Sequence, residues 1–252
     1  IIDVEKCVND RRKFNSDVWS SAPEIIESNI VTEAWPVILP ETVDAYPFVP
    51  SNKDDLKDRC MEILSLQSRG LMQRLNATGI EKVVLGLSGG LDSSLALIVC
   101  AEAYNKLGRN KKDIHCITMP GFGTSEKTLN ISRNLAKVFG VTLKEIDIKK
   151  ACEQHLKDIG HAMDKYDVTY ENVQARERTQ ILFDYANMTN GLVIGTGDMS
   201  ELALGWCTYN GDHMSNYAVN VGVPKTLVKW IVNVYADYTD DTVVRDFLKD
   251  IV

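Results

Sequence analysis

A chain of 252 residues with 44% hydrophobic side chains is long enough for one large domain, or one domain plus an appendage. Its 28 lysines and arginines against 35 acids leave a net charge of −7, and no basic stripe of the kind that grips nucleic acid is present. Its apolar runs are shorter than a membrane span, and six scattered cysteines without CxxC spacing give neither a zinc nor a redox pair, so a reduced cytoplasmic protein is expected.

Residues 1–50 carry five of the seven prolines and no strong helical or strand period, so they read as a linker or as the tail of something upstream. A helix opens at Ser51, with Asp54, Asp55 and Glu62 early and Leu56, Ile63, Leu64, Leu71 and Leu75 at helical spacing. From Glu81 the chain alternates. Strand-like runs are predicted at 82–87, 114–119, 142–148 and 191–196, and helices at 93–107, 126–139, 150–163 and 172–188. This alternation predicts an α/β fold, a doubly wound parallel sheet with helices on both faces. In such sheets the site lies beyond the carboxyl ends of the strands, so residues after Leu87, Met119, Ile148 and Thr196 should share one crevice.

The stretch Leu85-Gly86-Leu87-Ser88-Gly89-Gly90-Leu91-Asp92-Ser93-Ser94 joins the first predicted strand to a helix. Two glycines allow positive φ and leave no Cβ between backbone and ligand. Backbone N–H groups, serine hydroxyls and the positive helix end converge there, which suits pyrophosphate. Asp92 adds a carboxylate able to hold Mg²⁺. The plainer alternative is a glycine turn in an α/β core. No Gly-Lys-Ser/Thr follows, so this is not a Walker loop. Three further segments accompany it: Asn172-Val173-Gln174-Ala175-Arg176-Glu177-Arg178, Gly195-Thr196-Gly197-Asp198-Met199-Ser200-Glu201, and Gly205-Trp206-Cys207-Thr208-Tyr209 running through Asp212 to Lys225. Arg176 and Arg178 are about 200° apart around a helix, so they cannot both face one ligand.

The loop resembles the SGGxDS pyrophosphate loop of the N-type ATP pyrophosphatases. With the other three segments, the chain from about 50 to 250 resembles NAD synthetase, particularly the synthetase domain of the glutamine-dependent form. The resemblance implies an adenine nucleotide alpha hydrolase-like fold and a ligase that amidates deamido-NAD with ammonia at the expense of ATP. The reaction passes through an acyl-adenylate and releases AMP and pyrophosphate. It assigns Leu87, Ser88, Gly89, Gly90, Asp92, Ser93, Ser94, Met119, Thr196 and Lys225 to ATP, with Met119 against adenine. Arg176, Tyr209 and Asp212 would contact deamido-NAD. Asp92 and Glu201 would hold Mg²⁺, and Ser88, Asp92 and Lys225 would carry the chemistry. Short ammonia-dependent members usually have Lys where this chain has Tyr209, and a His where it has Asp198.

The resemblance also implies a homodimer or higher homo-oligomer, with no nucleic-acid or membrane partner. Residues 1–50 look like the end of an upstream glutaminase domain plus linker, and 51–252 like a C-terminally truncated synthetase domain. Glu5-Lys6-Cys7 is no glutaminase triad, because three consecutive residues cannot converge as one requires. Each site residue has a plainer role: Asp92 as an N-cap, Glu201 as a first-turn acid, Thr196 as a strand-end cap, Arg176 in a surface ion pair, Lys225 as a solvated lysine at a helix start. Alternatives for the whole are another amidating or thiolating ATP pyrophosphatase, or an ATP-binding fragment without turnover.

Overall fold

The β-branched and leucine-rich runs between glycine turns form parallel strands because their side chains are covered on both faces. The computed structural model describes residues 46–251; the expectation for the first 45 residues lies outside them. Helix α1 (Lys53–Thr78) starts after Asn52, whose side chain accepts from the Asp54 N–H, and ends at Gly79. There follow β1 (Lys82–Gly86), α2 (Leu91–Leu107), a 3₁₀ turn (Lys111–Asp113), β2 (Ile114–Thr118), α3 (Glu126–Phe139), β3 (Thr142–Glu145) and α4 (Lys149–Asp158). Then come α5 (Val168–Thr189), β4 (Gly191–Gly195), α6 (Met199–Leu204), β5 (Tyr217–Ala218), α7 (Lys225–Tyr238) and α8 (Thr242–Ile251).

The five strands are all parallel, in the order β3-β2-β1-β4-β5. The predicted doubly wound sheet is present, and period-two alternation divides its core in two. Val83, Leu85, Ile114, Cys116, Leu192 and Ile194 pack on one side with α1, α2, α3, α7 and α8. Val84, Ile117 and Val193 pack on the other with residues of α4 and α5. Strand order reverses between β1 and β4, which defines the crevice where such folds bind ligands.

Several boundaries differ from the sequence expectation, each for a local reason. β3 stops at Glu145, opposite Thr118, where β2 ends, although the Ile146 and Ile148 N–H groups still reach the Thr118 and Pro120 oxygens. α4 stops at Asp158, short of the predicted 163, two residues before Gly160 at φ 73°. α5 begins at Val168 rather than 172, because Asp167 caps it by accepting from the N–H groups of Thr169 and Tyr170. The segment at 172–178 therefore lies in the second turn and beyond.

Candidate active site

At the end of β1 the chain turns through Ser88, Gly89 and Gly90 into α2. Gly89 has φ 83°, and a Cβ there would stand 2.7 Å from the Thr128 carbonyl oxygen, so the turn admits only glycine. Ser88 Oγ accepts from the Gly90 N–H at 3.3 Å and lies 3.1 Å from Ser93 Oγ. Ser93 and Ser94 are buried, and each hydroxyl donates to the Gly90 carbonyl at 2.9 Å. These two serines brace the loop from within. Gly90 occupies the N-cap of α2 without a side-chain cap, which leaves the first N–H groups of the helix turned outward.

Beside this loop three carboxylates meet one ammonium. Lys225 Nζ lies 2.8 Å from Asp92 Oδ2, 3.0 Å from Asp198 Oδ2 and 3.1 Å from Glu201 Oε1. The acids come from the starts of α2 and α6, and the lysine from the start of α7. Burial opposes the charge on Lys225, and the carboxylates outweigh it, holding the ammonium above the usual lysine range. Asp198 is fully buried and forms a reciprocal capping box with Glu201: its Oδ1 accepts from the Glu201 N–H at 2.9 Å, and Glu201 Oε2 accepts from the Asp198 N–H at 3.2 Å. Its contact with Lys225 is an ion pair outside hydrogen-bond geometry, so Asp198 Oδ2, like Asp92 Oδ1, is buried without a hydrogen bond. The cluster carries two negative charges more than positive ones.

A cavity of about 670 Å³ opens on the other side of the loop, beyond the carboxyl ends of β1, β2 and β4 and against α5. Leu87, Ser88, Met119, Thr196 and Asp212 of the predicted set line it. Gly89, Gly90, Ser93 and Ser94 do not line it, and Asp92, Glu201 and Lys225 form the cluster beside the loop. The crevice expected after Leu87, Met119 and Thr196 is therefore present, while Ile148 is buried under α4 and α5.

Of the two arginines, Arg178 lines the cavity and Arg176 does not. Arg178 donates through Nε to the Met119 carbonyl at 3.2 Å, and burial draws its guanidinium below the usual arginine value. Arg176 is exposed and donates to the Tyr209 carbonyl at 3.1 Å. It helps fasten the 205–216 segment to α5, where Thr208 Oγ1 also donates to Asn172 Oδ1 at 2.8 Å. Asp212 Oδ1 accepts from the Thr208 N–H, and Tyr209 itself is exposed.

Sequence reasoning missed Arg178 as a wall residue, Gln174, which accepts from the Phe122 N–H at 3.1 Å, and the Tyr166 and Tyr170 pair at the cavity. The phase difference between Arg176 and Arg178 was readable, but not which phase faces the sheet. Four described cysteines, Cys60, Cys100, Cys116 and Cys152, are buried, and burial pushes their thiols up, Cys60 and Cys152 to about 11 and Cys116 to about 12. Among the described residues no three histidine, cysteine or acidic side chains form a ready metal cage. No described helix is long and apolar enough to cross a membrane.

A parallel sheet with a glycine-serine loop and an acid–lysine cluster at its switch point defines an α/β protein of the adenine nucleotide alpha hydrolase-like fold. The chain belongs to the NAD synthase family, whose model matches residues 63–236. It is 49% identical over 195 residues to the glutamine-dependent NAD(+) synthetase of Mycobacterium leprae, an alignment covering 75% of this chain and 29% of that protein. The chain thus spans about three-tenths of the length of the curated relatives it matches. Among solved structures it resembles the glutamine-dependent NAD+ synthetase of Acinetobacter baumannii in complex with ADP, with TM-score 0.69, 28% identity, and coverage of 75% of this chain and 35% of that one. It also resembles the NH3-dependent NAD synthetase of Campylobacter jejuni, with TM-score 0.63, 26% identity, and coverage of 76% and 77%.

Proposed function

We propose that this chain carries the ATP-dependent amidation of deamido-NAD to NAD. The observation that supports it best is the Ser88–Asp92 turn at the β1/β4 switch point, set between a 670 Å³ cavity and the Lys225 cluster. Loop N–H groups suit the leaving pyrophosphate, and Met119, Thr196 and the cavity wall suit the adenosine part of ATP. The nicotinate carboxylate of deamido-NAD attacks the α-phosphorus of ATP, and the bond to the bridging oxygen breaks as pyrophosphate leaves. Ammonia then attacks the acyl carbon, AMP leaves, and the surplus proton passes to solvent. Lys225 offsets charge on the departing phosphates, and Arg176, Tyr209 and Asp212 hold the dinucleotide.

Asp92 and Glu201 fit a magnesium ion. Both present hard carboxylate oxygens to one cation, and buried Asp92 Oδ1 has no hydrogen-bond partner. Bound there, the ion would supply positive charge to the ATP phosphates. We further infer a reducing cytoplasmic setting, in keeping with the five described cysteines, which are unpaired. A homodimer, and ammonia delivered from glutamine by an upstream domain to which residues 1–50 would be the tail, complete the reading.

The test supplies the purified chain with ATP, magnesium, deamido-NAD and ammonium, and measures NAD and AMP. NAD should form in step with AMP with ammonium as the nitrogen source, and Asp92→Ala should abolish it while the protein stays folded. ATP binding without NAD would instead indicate the non-catalytic fragment, and AMP formed with a different carboxylate another amidating enzyme.

A further inference from the structure

Asn220 lies in the run from Asp212 to Lys225 but was not itself singled out as a site residue, and it is fully buried between the two loops that flank the crevice. Its Nδ2 donates to the Asp92 carbonyl at 2.9 Å and to the Thr196 carbonyl at 3.1 Å. Its Oδ1 accepts from Gln67 Nε2 of α1 at 3.1 Å, and the same Gln67 nitrogen donates to the Val219 carbonyl at 2.9 Å. Two backbone carbonyls can only accept, so the nitrogen of Asn220 must face them, and both of its N–H donors are used.

The position explains why such a side chain is needed. Pairing between β1 and β4 ends at Leu85 opposite Ile194. Beyond it the Leu87 N–H turns to the Ile117 carbonyl, away from β4. The strands part there, which makes the crevice and leaves the Thr196 carbonyl, just past the end of β4, beyond the β1 ladder. Asn220 spans that gap and ties the first turn of α2 to the loop after β4. Asp offers no donor, Leu offers no polar atom, and Gln is a methylene longer than the gap that Asn fills.

We propose that Asn220 is a positioning residue that fixes the spacing between the phosphate loop and the Thr196 loop, and so the register of Asp92 and Thr196 on ATP. It acts through those two residues and touches neither substrate. The part of this that concerns turnover rests on the NAD synthetase reading; the part that concerns nucleotide binding does not.

The test compares the wild-type chain with Asn220→Asp and the milder Asn220→Ser, whose hydroxyl keeps one donor. Thermal unfolding, ATP affinity by calorimetry with magnesium present, and kcat and KM for ATP and deamido-NAD are measured. Loss of loop register should weaken ATP binding and lower kcat by about tenfold to a hundredfold in Asn220→Asp, with Asn220→Ser in between. The KM for deamido-NAD should stay within about twofold. Folded variants with wild-type ATP affinity and kcat would overturn the proposal. So would a uniform loss toward both substrates that cooling reverses, or failure of both variants to fold, either of which would make Asn220 purely structural. If the wild type binds ATP but makes no NAD, the functional reading fails, and the calorimetry still decides Asn220. If it binds no ATP, both fall.

Discussion

Lys225 Nζ lies 2.8 Å from Asp92 Oδ2 across 133 residues of sequence, which closes the glycine-serine loop onto the start of α7. The same ammonium reaches Asp198 and Glu201, so one cation joins the loops after β1 and β4 to α7.

Replacing that cation should separate binding from chemistry. Lys225→Met should slow AMP release in a single turnover by a factor corresponding to about 2.7–4 kcal/mol of transition-state stabilisation, the scale of one lost preorganised donor. The variant should also need less magnesium to reach half-maximal rate, because the three carboxylates then lack their ammonium and attract a divalent cation more strongly. Rapid-quench assays at several magnesium concentrations read both effects; an unchanged rate would remove Lys225 from the phosphate site.

The two arginines should divide the substrates. Arg178 lines the cavity and holds the Met119 carbonyl, so Arg178→Lys should raise the KM for ATP more than that for deamido-NAD. Arg176 holds the segment that carries Tyr209 and Asp212, so Arg176→Lys should do the reverse. A lysine cannot reproduce the guanidinium fork in either place. Steady-state kinetics with each substrate varied in turn checks the split, and parallel behaviour of the two variants would refute it.

Gly89→Ala should damage the loop at its most constrained point. The backbone is at φ 83°, and the added methyl would stand 2.7 Å from the Thr128 carbonyl oxygen and 3.1 Å from Ser132 Oγ. Left-handed strain alone costs about 1–3 kcal/mol. A lowered Tm together with weakened ATP binding is expected; a variant that matches wild type in both would show that the turn can relax.

Asp167 makes a pH-dependent contribution at the start of α5. Lys165 most of all, then the Tyr170 N–H, His161 and the Thr169 N–H, hold its carboxyl well below the usual aspartate range. A depressed folded-state pKa gives stability that is complete above the unfolded value of about 3.9 and is lost as pH falls through the folded value. Asp167→Ala should therefore lower Tm at pH 7, and the gap from wild type should narrow as the solution is taken well below pH 3.9. Thermal melts across that range measure it, and a gap independent of pH would contradict the charge-based account.

Local signals made much of this molecule legible. The Glu126–Phe139 helix lies between Ser125, whose side chain caps it, and Gly140, and its predicted bounds hold to the residue. The turn from Ser88 to Asp92 was readable because glycines, serines and an aspartate between an apolar run and a helical run have few other uses. Short elements were not readable. α6 spans six residues and β5 two, too few for either period to register, and β5 exists only through its pairing with β4.

The sequence by itself determined the strand–helix alternation, the doubly wound class and the glycine-serine turn after β1, since each is written within a few neighbouring residues. Only the tertiary structure decided that Lys225 meets Asp92, Asp198 and Glu201, that Arg178 rather than Arg176 faces the cavity, and that Asn220 bridges two loops. Periodicity gives the angle between two side chains on one helix, but not which angle points at the sheet. That orientation, like a contact between residues 133 apart, is fixed by how the layers pack, and the energy that selects it comes from burial spread over the whole core.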